Sequence, residues 1–495
     1  MLIVCVDILV CGCYVHAMGA TRIPWIDVWY NTHLCSLASV VLMVFLCANT
    51  GLFGVAIKGW NVSWWLISSA LVIAVAVGGV APAKDTSVLN RDQTSEWRGW
   101  MQCSFLIYHY LGAGQAPMPL YIWIRMMVGG FMFMTGFGHT SYFLIKANYS
   151  TKRIWQVLSR LNLLQFLLCC LLSKPWIFYY FTPLATVWFG CIYLTMAIYS
   201  SFNGNLMFVC IKIVVLMLCI ELVLWLGCQN VLFQGLFMNP LTKVLFELGN
   251  DDGFFWYGRF AMDRFSVPCG MCFAVFLHKI RSFNGGGGSG VGGTAGTAGI
   301  AGIAVTADTG ENAGAAAAAA AVFPARYGPN EIYGLYSIKW MLFFYGPAVL
   351  FVYGLYSYHA AVLLQGNKKM AISIHTICSP FVVVAFVAVR NHPWFGLDKY
   401  VSTTLVWIGS FSLELFIFQY HLLLVVPNEV SLGPAATLQL IPGQPEISAV
   451  LATLLLFSVS YCFSKVTTQL LRGIDFDGVL HWLRGKTNDS PKVSV

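Results

Sequence analysis

Residues 62–82 read VSWWLISSALVIAVAVGGVAP, a run of apolar and small residues that contains no charge. A helix needs about 20 such residues to cross the hydrocarbon core of a bilayer. Because lipid offers no hydrogen-bond partners, a spanning segment must satisfy its backbone groups internally, as a helix does. The run therefore predicts a transmembrane helix.

Similar runs recur along nearly the whole chain. Of its 495 residues, 58% are hydrophobic and 10% are charged, whereas about a quarter of the residues of a soluble domain are charged. We predict an all-α, polytopic helical membrane protein with about 12–13 transmembrane helices. Further spans are predicted at 34–57, 100–115, 120–145, 154–173, 176–199, 206–227, 265–281, 333–363, 371–389, 402–427 and 447–470.

Composition divides the chain into five parts. Residues 1–83 are predicted to form N-terminal membrane helices, 84–281 a first membrane block and 333–480 a second one. Between the blocks, 282–332 is rich in Gly and Ala, which bury too little apolar surface to offset the entropy of ordering. We expect a disordered insertion there and a polar cytoplasmic tail at 481–495.

The start of the chain allows two interpretations. Residues 1–20 are apolar and end in small residues, as a signal peptide does, but they lack its basic first part. We favour an additional membrane helix.

Basic residues in short loops predict the orientation, because they concentrate on the cytoplasmic side. The loop 428–446 contains no Lys or Arg and is predicted to be lumenal, whereas 84–98 is predicted to be cytoplasmic. The C-terminal region is also predicted to be cytoplasmic because it contains Lys465, Arg472, Arg484, Lys486 and Lys492.

Cysteines and net charge exclude several classes of protein. The sixteen cysteines are scattered through apolar segments without metal-ligand spacing, so we predict neither a disulfide framework nor a metal site. The net charge of +8 is spread over short loops, which is typical of membrane topology and not of nucleic-acid binding.

Residues 91–110, RDQTSEWRGWMQCSFLIYHY, place charge at the mouth of an apolar segment. Arg98 and His109 are eleven residues apart, so on a helix they share one stripe at an axial separation of about 16 Å. Arginine binds phosphate bidentately, and histidine suits proton transfer near neutral pH. The pair fits a long donor with phosphates at one end and a thioester at the other, which is the shape of coenzyme A. Alternatively, Arg98 reaches lipid phosphates and His109 bonds a neighbouring helix.

Several stretches resemble one known family, the multi-pass acyltransferase domain of sialic-acid and polysaccharide O-acetylation, which has plant, fungal and animal members. The resemblance covers residues 84–480 except for the insertion. The stretches that carry it are LNRDQTSEWRGWMQCSFLIYHY at 89–110, PLYIWIRMMVGGFMFMTGFGHTSYF at 119–143, RLNLL at 160–164, FYYFTPLATVWF at 178–189, WYGRFAMDRFSVPCGM at 256–271 and SLELFIFQYHLLL at 412–424.

The resemblance implies an O-acetyltransferase of the Golgi membrane, with acetyl-CoA as co-substrate and no permanently bound cofactor. Its acceptors would be hydroxyls of glycans or polysaccharides, or an intermediate carrier. Animal and fungal members have a lumenal hydrolase-like domain before the membrane part. Because the residues that precede the motif here are mostly apolar and contain no Gly-Asp-Ser block, we expect the stand-alone form found in plants.

Two alternatives to this function stay open. The chain could transport acetyl-CoA or acetyl groups for a separate lumenal glycan acetyltransferase, although the sequence lacks the inverted repeats typical of secondary transporters. It could also be a scaffold for a soluble transferase, but a scaffold would give the charged residues within its apolar segments no function.

The resemblance also suggests roles for individual residues. His109 would be the general base, as proposed for bacterial membrane acyltransferases with a similar RG–H helix. Arg98 and Arg91 would bind the phosphates of the donor, and Asp92 and Glu96 would either orient the entrance of the site or tune the proton affinity of His109 as part of the catalytic set.

Other charged residues within apolar runs are candidates on chemical grounds. His139, in TGFGHTSYF, is predicted to share the donor site, or else to pack between helices. Arg125 is assigned to the donor as well, and its partner cannot be identified from the sequence. Glu414 and His421 lie two turns apart on nearly one stripe. They are predicted to contact the acceptor, with helix–helix hydrogen bonds as the alternative.

Three charged residues follow two aromatic ones in the predicted lumenal loop 228–264. Arg259 and Asp263 are spaced i,i+4, and Arg264 follows directly. Charges beside aromatic faces suit carbohydrate binding, and we assign these three residues to the acceptor. The alternative is an interfacial helix stabilised by an Arg259–Asp263 pair.

Overall fold

The computed structural model describes residues 25–172, 176–228, 252–285, 345–346, 348–357, 368–392, 395–424 and 435–473. The helices are α1 Trp25–Asn49, α2 Val62–Gly78, α3 Arg91–Tyr110, α4 Met118–Lys146, α5 Thr151–Leu172, α6 Phe181–Ala197, α7 Leu206–Cys228, α8 Asp252–Met262, α9 Ser266–Gly285, α10 Ala348–Ser357, α11 Lys368–Arg390, α12 Thr403–Gly409, α13 Ser412–Leu422 and α14 Pro445–Gly473. The strands are β1 Gly54–Lys58, β2 Val80–Pro82, β3 Tyr400–Ser402 and β4 Ala435–Gln439.

The predicted all-α, polytopic class is confirmed. Within the described residues, five helices are long and apolar enough to cross a membrane, and α12 with α13 makes a sixth span if the bent pair counts as one. Shorter apolar helices, such as α2 and α6, add to them. The total of 12–13 spans stays a prediction. Residues 1–20, nearly all of 282–332 and the tail lie outside the described residues.

Three predicted spans are wrong in detail. The run 62–82 is helical only as far as Gly78, and its end, Val80–Pro82, forms strand β2. The run 34–57 does not continue as one helix, because α1 ends at Asn49 and Gly54–Lys58 forms a strand. Gly51 has a φ of +62°, a conformation that glycine adopts without steric cost and that a helix does not contain. The run 402–427 is broken into α12 and α13, which are bent by 72° relative to each other.

Two short strand pairs lie at opposite ends of α3. Strand β2 pairs antiparallel with β3 near Arg91, where Glu96 accepts a hydrogen bond from the backbone of Ser402 at 3.0 Å. Strand β1 pairs antiparallel with β4 near the other end, where the Lys58 ammonium lies 5.1 Å from the ring of Tyr110. These ends are called the Arg91 end and the Tyr110 end.

Glycines allow α3 to pack directly on α12. A Cβ on Gly99 would meet the carbonyl oxygen of Leu405, and a Cβ on Gly409 would meet that of Ser95. Small residues permit such close approach of helix backbones in membranes. The same arrangement joins α4 to α9, where Gly136 faces Val267.

The apolar core surrounds α3 and α4. One group of buried side chains joins α3 to α1, α5, α13 and α14. A second joins α3 and α4 to α9 and α11, and a third joins α4 to α6, α7 and α9.

Candidate active site

The Arg91 end of α3 is fixed by a side-chain cap and by hydrogen bonds to residues at the end of α11. Asn90 caps the helix by accepting a hydrogen bond from the backbone of Gln93 at 2.8 Å, as Asn commonly does at this position. The Gln93 amide donates to Asn391 at 3.0 Å. Glu96 accepts from Arg390 at 2.7 Å. These contacts hold α3 against α11 and β3, and they set the direction in which its other face points.

That other face lines a cavity of about 520 Å³. Five of the six α3 residues that line it are Arg91, Ser95, Arg98, Gln102 and Phe105, whose spacing of four, three, four and three residues keeps them on one side of a helix. The neighbouring Asp92 and residues of α4, α5, α6, α12 and α13 complete the walls, among them Val128, Phe131, His139, Arg160, Tyr180, Phe181, Glu414 and Phe416. The volume lies within the range of small-molecule and cofactor sites.

Arg98 is a positive charge in this cavity without an acidic partner among the described residues. Its guanidinium donates to the Ser95 hydroxyl at 3.1 Å and to the Thr94 carbonyl at 3.4 Å. A half-buried arginine with spare donors suits an anionic group, because its planar fork matches phosphate oxygens.

A second arginine in the wall is neutralised. Arg160 of α5 forms an ion pair with Glu414 of α13 and donates to the Ser464 hydroxyl at 2.9 Å. The Glu414 side chain is 1% exposed. Glu414 therefore lines the cavity with its charge neutralised by Arg160. Together with the hydrogen bond to Ser464, the pair connects α5, α13 and α14.

Besides the carboxylate of Glu414, which is ion-paired with Arg160, two buried polar atoms of cavity residues lack hydrogen-bond partners among the described residues. They are Nε2 of Gln102 and Nδ1 of His139. The ring of His139 lies 4.8 Å from that of Phe189. Because buried polar groups nearly always have partners in folded proteins, these atoms are available to a polar ligand.

His109 lies beyond the inner end of the cavity and does not line it. It follows Phe105 by one helical turn, which adds about 6 Å along the axis. Its ring is half-buried, 5.7 Å from the ring of Tyr420, and its Nδ1 contacts Oε1 of Gln419 at 3.3 Å. His139 and Arg98 thus share one cavity, whereas His109 occupies the next compartment along α3.

Three more predicted site residues also lie away from the cavity. Glu96 is held by Arg390 and Ser402 on the far side of α3. Arg125 pairs with Asp263 at 3.2 Å in the interior. His421 is buried against Tyr179, to whose hydroxyl its Nε2 is hydrogen-bonded.

Within the described residues, the predicted loop 228–264 contains helix α8. The charged side chains at its end contact residues of other helices. Asp263 is 1% exposed and accepts a hydrogen bond from Arg125 of α4, while Arg259 of the preceding helix lies near enough to interact with it electrostatically. The Arg259 guanidinium lies 4.1 Å from the ring of Tyr180. Arg264 donates to Glu221 at 2.6 Å. In the described residues, therefore, these charges join helices together.

Some cavity residues were missed by the sequence reasoning. Gln102 and Phe105 continue the spacing that links Arg91 to His109, so the α3 stripe could have identified them. Phe131, Phe181 and Phe416 come from three other helices, and no sequence signal brings them together. No group of three or more His, Cys, Asp or Glu side chains suits a metal ion in the described part of the chain.

Comparison with known proteins identifies the class. Residues 22–286 and 336–474 match the family described as the 10 TM acyl transferase domain found in Cas1p. The chain belongs to this family of membrane acyltransferases, and the predicted family membership is confirmed.

One relative of this chain is the N-acetylneuraminate (7)9-O-acetyltransferase of Danio rerio. The two chains are 30% identical over 440 residues, which cover 87% of this chain and 49% of the relative. The chain thus spans about half the length of that relative. No solved structure matches the chain.

Proposed function

We propose that the chain is an O-acetyltransferase that moves acetyl from acetyl-CoA towards hydroxyls of glycans or polysaccharides in the Golgi lumen. Its membership of an acyltransferase family and its likeness to a sialic-acid O-acetyltransferase support the reaction class. The Golgi location rests on the family resemblance.

The observation that carries the proposal is the guanidinium of Arg98 inside the cavity, which has no acidic partner among the described residues. On the orientation predicted from the basic loops, the Arg91 end faces the cytoplasm, where acetyl-CoA would enter. Arg98, helped by Arg91, binds its phosphates. The pantetheine arm then extends along the stripe of Gln102 and Phe105 towards His109.

His109 acts as the general base at the far end. Its Nε2 accepts the proton of the acceptor hydroxyl, the oxygen bonds to the acetyl carbonyl carbon, and the carbon–sulfur bond breaks. The departing coenzyme A sulfur takes up that proton, so the products are an acetyl ester and free coenzyme A. Holding both reactants in a fixed orientation supplies part of the rate.

The test uses purified protein in sealed liposomes with radiolabelled acetyl-CoA and a glycan pool that contains N-acetylneuraminate. Wild type is compared with His109→Ala and with a control, His278→Ala, whose residue on α9 does not line the cavity. We expect label on glycan from wild type and the control, and none from His109→Ala. Full transfer by His109→Ala would reject the mechanism.

One observation favours a second function, transport of the donor. The broken span of α12 and α13 lines the cavity, and discontinuous helices are a feature of many transporter sites. A transporter would accumulate intact labelled acetyl-CoA inside the liposomes without any acceptor. It would do so equally in wild type and His109→Ala.

A further inference from the structure

Four phenylalanine side chains from four helices form a closed ring of contacts. The ring centroids of Phe105 and Phe131 are 5.9 Å apart, and those of Phe131 and Phe181 are also 5.9 Å apart. Phe181 lies 5.3 Å from Phe416, which lies 6.5 Å from Phe105 and completes the circle. These four residues are called the phenylalanine ring.

The phenylalanine ring stands at the inner end of the cavity. All four members line it, and on α3 and α13 the residues Phe105 and Phe416 are the last that do. One turn further, Tyr420 of α13 contacts Phe416 at 5.7 Å and His109 of α3 at 5.7 Å. The ring therefore separates the compartment of Arg98 from that of His109.

We infer that the phenylalanine ring is the aperture through which the acyl group passes, and that it selects the acyl group by size. The inference rests on the proposed function. With the donor phosphates at Arg98, Phe105 lies about 10 Å further along the axis and His109 about 16 Å. A thioester that reaches His109 must thus lie at or beyond the phenyl groups.

Packing explains why such an aperture discriminates. Protein interiors are close-packed, so four phenyl groups in mutual contact leave no spare volume for extra methylenes. One methylene changes discrimination in an apolar site by about 10–200-fold. An acetyl group carries a single methyl, whereas propionyl and butyryl groups add one and two methylenes. The ring therefore favours acetyl over longer chains.

The test is a competition between acetyl-CoA and butyryl-CoA, carrying different labels, for transfer to the glycan pool. The variants are Phe131→Ala and Phe181→Ala, each of which removes one side of the ring. The control is Phe166→Ala, since Phe166 of α5 is 57% exposed on the outer surface. Because both donors compete for the same folded molecules, the ratio of products does not depend on how much protein is folded.

We expect each ring variant to raise the butyryl-to-acetyl ratio by at least about tenfold, and Phe166→Ala to leave it unchanged. Phe131→Leu, a milder change, should give an intermediate ratio and serves if the alanine variant does not fold. Unchanged ratios in variants that still transfer acetyl would overturn the aperture while leaving the proposed function intact. Absence of transfer by wild type to any acceptor would reject the function, and the aperture with it.

Discussion

Nδ1 of His109 lies 3.3 Å from Oε1 of Gln419, and the Gln419 amide nitrogen donates to the Phe416 carbonyl at 2.9 Å. A reversed amide would bring two acceptor oxygens together, so the Gln419 oxygen faces the imidazole and can only accept. The hydrogen-bond network thus assigns the His109 proton to Nδ1. Nε2 has no partner among the described residues and carries the free lone pair that a base requires.

Gln419 is therefore expected to position the base without touching substrate. Gln419→Leu removes the acceptor, and we expect kcat to fall by up to the about 10²–10⁴-fold that general base catalysis contributes. KM for acetyl-CoA should change little, because Arg98 is untouched. Gln419→Glu keeps an acceptor for Nδ1 and should retain more activity than Gln419→Leu. Steady-state kinetics of both variants check this, and equal losses would show that Gln419 only packs.

Arg98 is expected to act on donor affinity. A hydrogen bond to a charged group contributes about 1.5–3 kcal/mol, so Arg98→Gln should raise KM for acetyl-CoA about 10–100-fold with kcat largely kept. The KM of Arg98→Lys should lie between those of wild type and Arg98→Gln, since the lysine ammonium is a point charge without the bidentate fork of arginine. Arg264→Gln, which removes a cation paired with Glu221 outside the cavity, is the control. An unchanged KM in Arg98→Gln would place the phosphates elsewhere.

Local patterns account for what the sequence predicted well. Spans such as α4 and α5 agree with the predicted runs within a few residues, because bilayer crossing is decided by contiguous composition. The position of Arg98 and His109 on one side of α3 also follows from helix geometry alone. By contrast, the break between α12 and α13 coincides with the contact of Gly409 on Ser95, which lies in a distant part of the chain.

Partners of charged residues were beyond sequence reasoning for the same reason. The sequence assigns Asp263 to the acceptor, or alternatively to a pair with Arg259 four residues away, yet its hydrogen bond comes from Arg125, which is 138 residues away. Arg160 and Glu414 likewise meet only because α5 and α13 pack together. The phenylalanine ring needs four helices, and aromatic residues are too frequent in this chain for composition to single out its members.

The Arg125–Asp263 pair gives a stability prediction. Both side chains are at most 7% exposed, and removing one partner leaves a buried charge, which costs about 3–5 kcal/mol. We expect Asp263→Leu or Arg125→Leu to lower the thermal midpoint in detergent strongly. The double variant should recover much of the loss, because apolar side chains replace buried pairs at little cost. A double variant as unstable as the sum of the two would argue against a direct pair.

The contact between α3 and α12 gives the last prediction. Because a Cβ on Gly409 would overlap the Ser95 carbonyl, Gly409→Ala must move α12 away from α3, at about 1–3 kcal/mol for an overpacked site. Since both helices line the cavity, KM for acetyl-CoA should rise together with the loss of thermal stability. Gly190→Ala on α6 is the matched control: nothing lies within 4 Å of the place its new methyl group would take, and alanine favours a helix over glycine by up to about 1 kcal/mol. Stability that falls equally in both variants would show that the close approach of α3 and α12 has no special role.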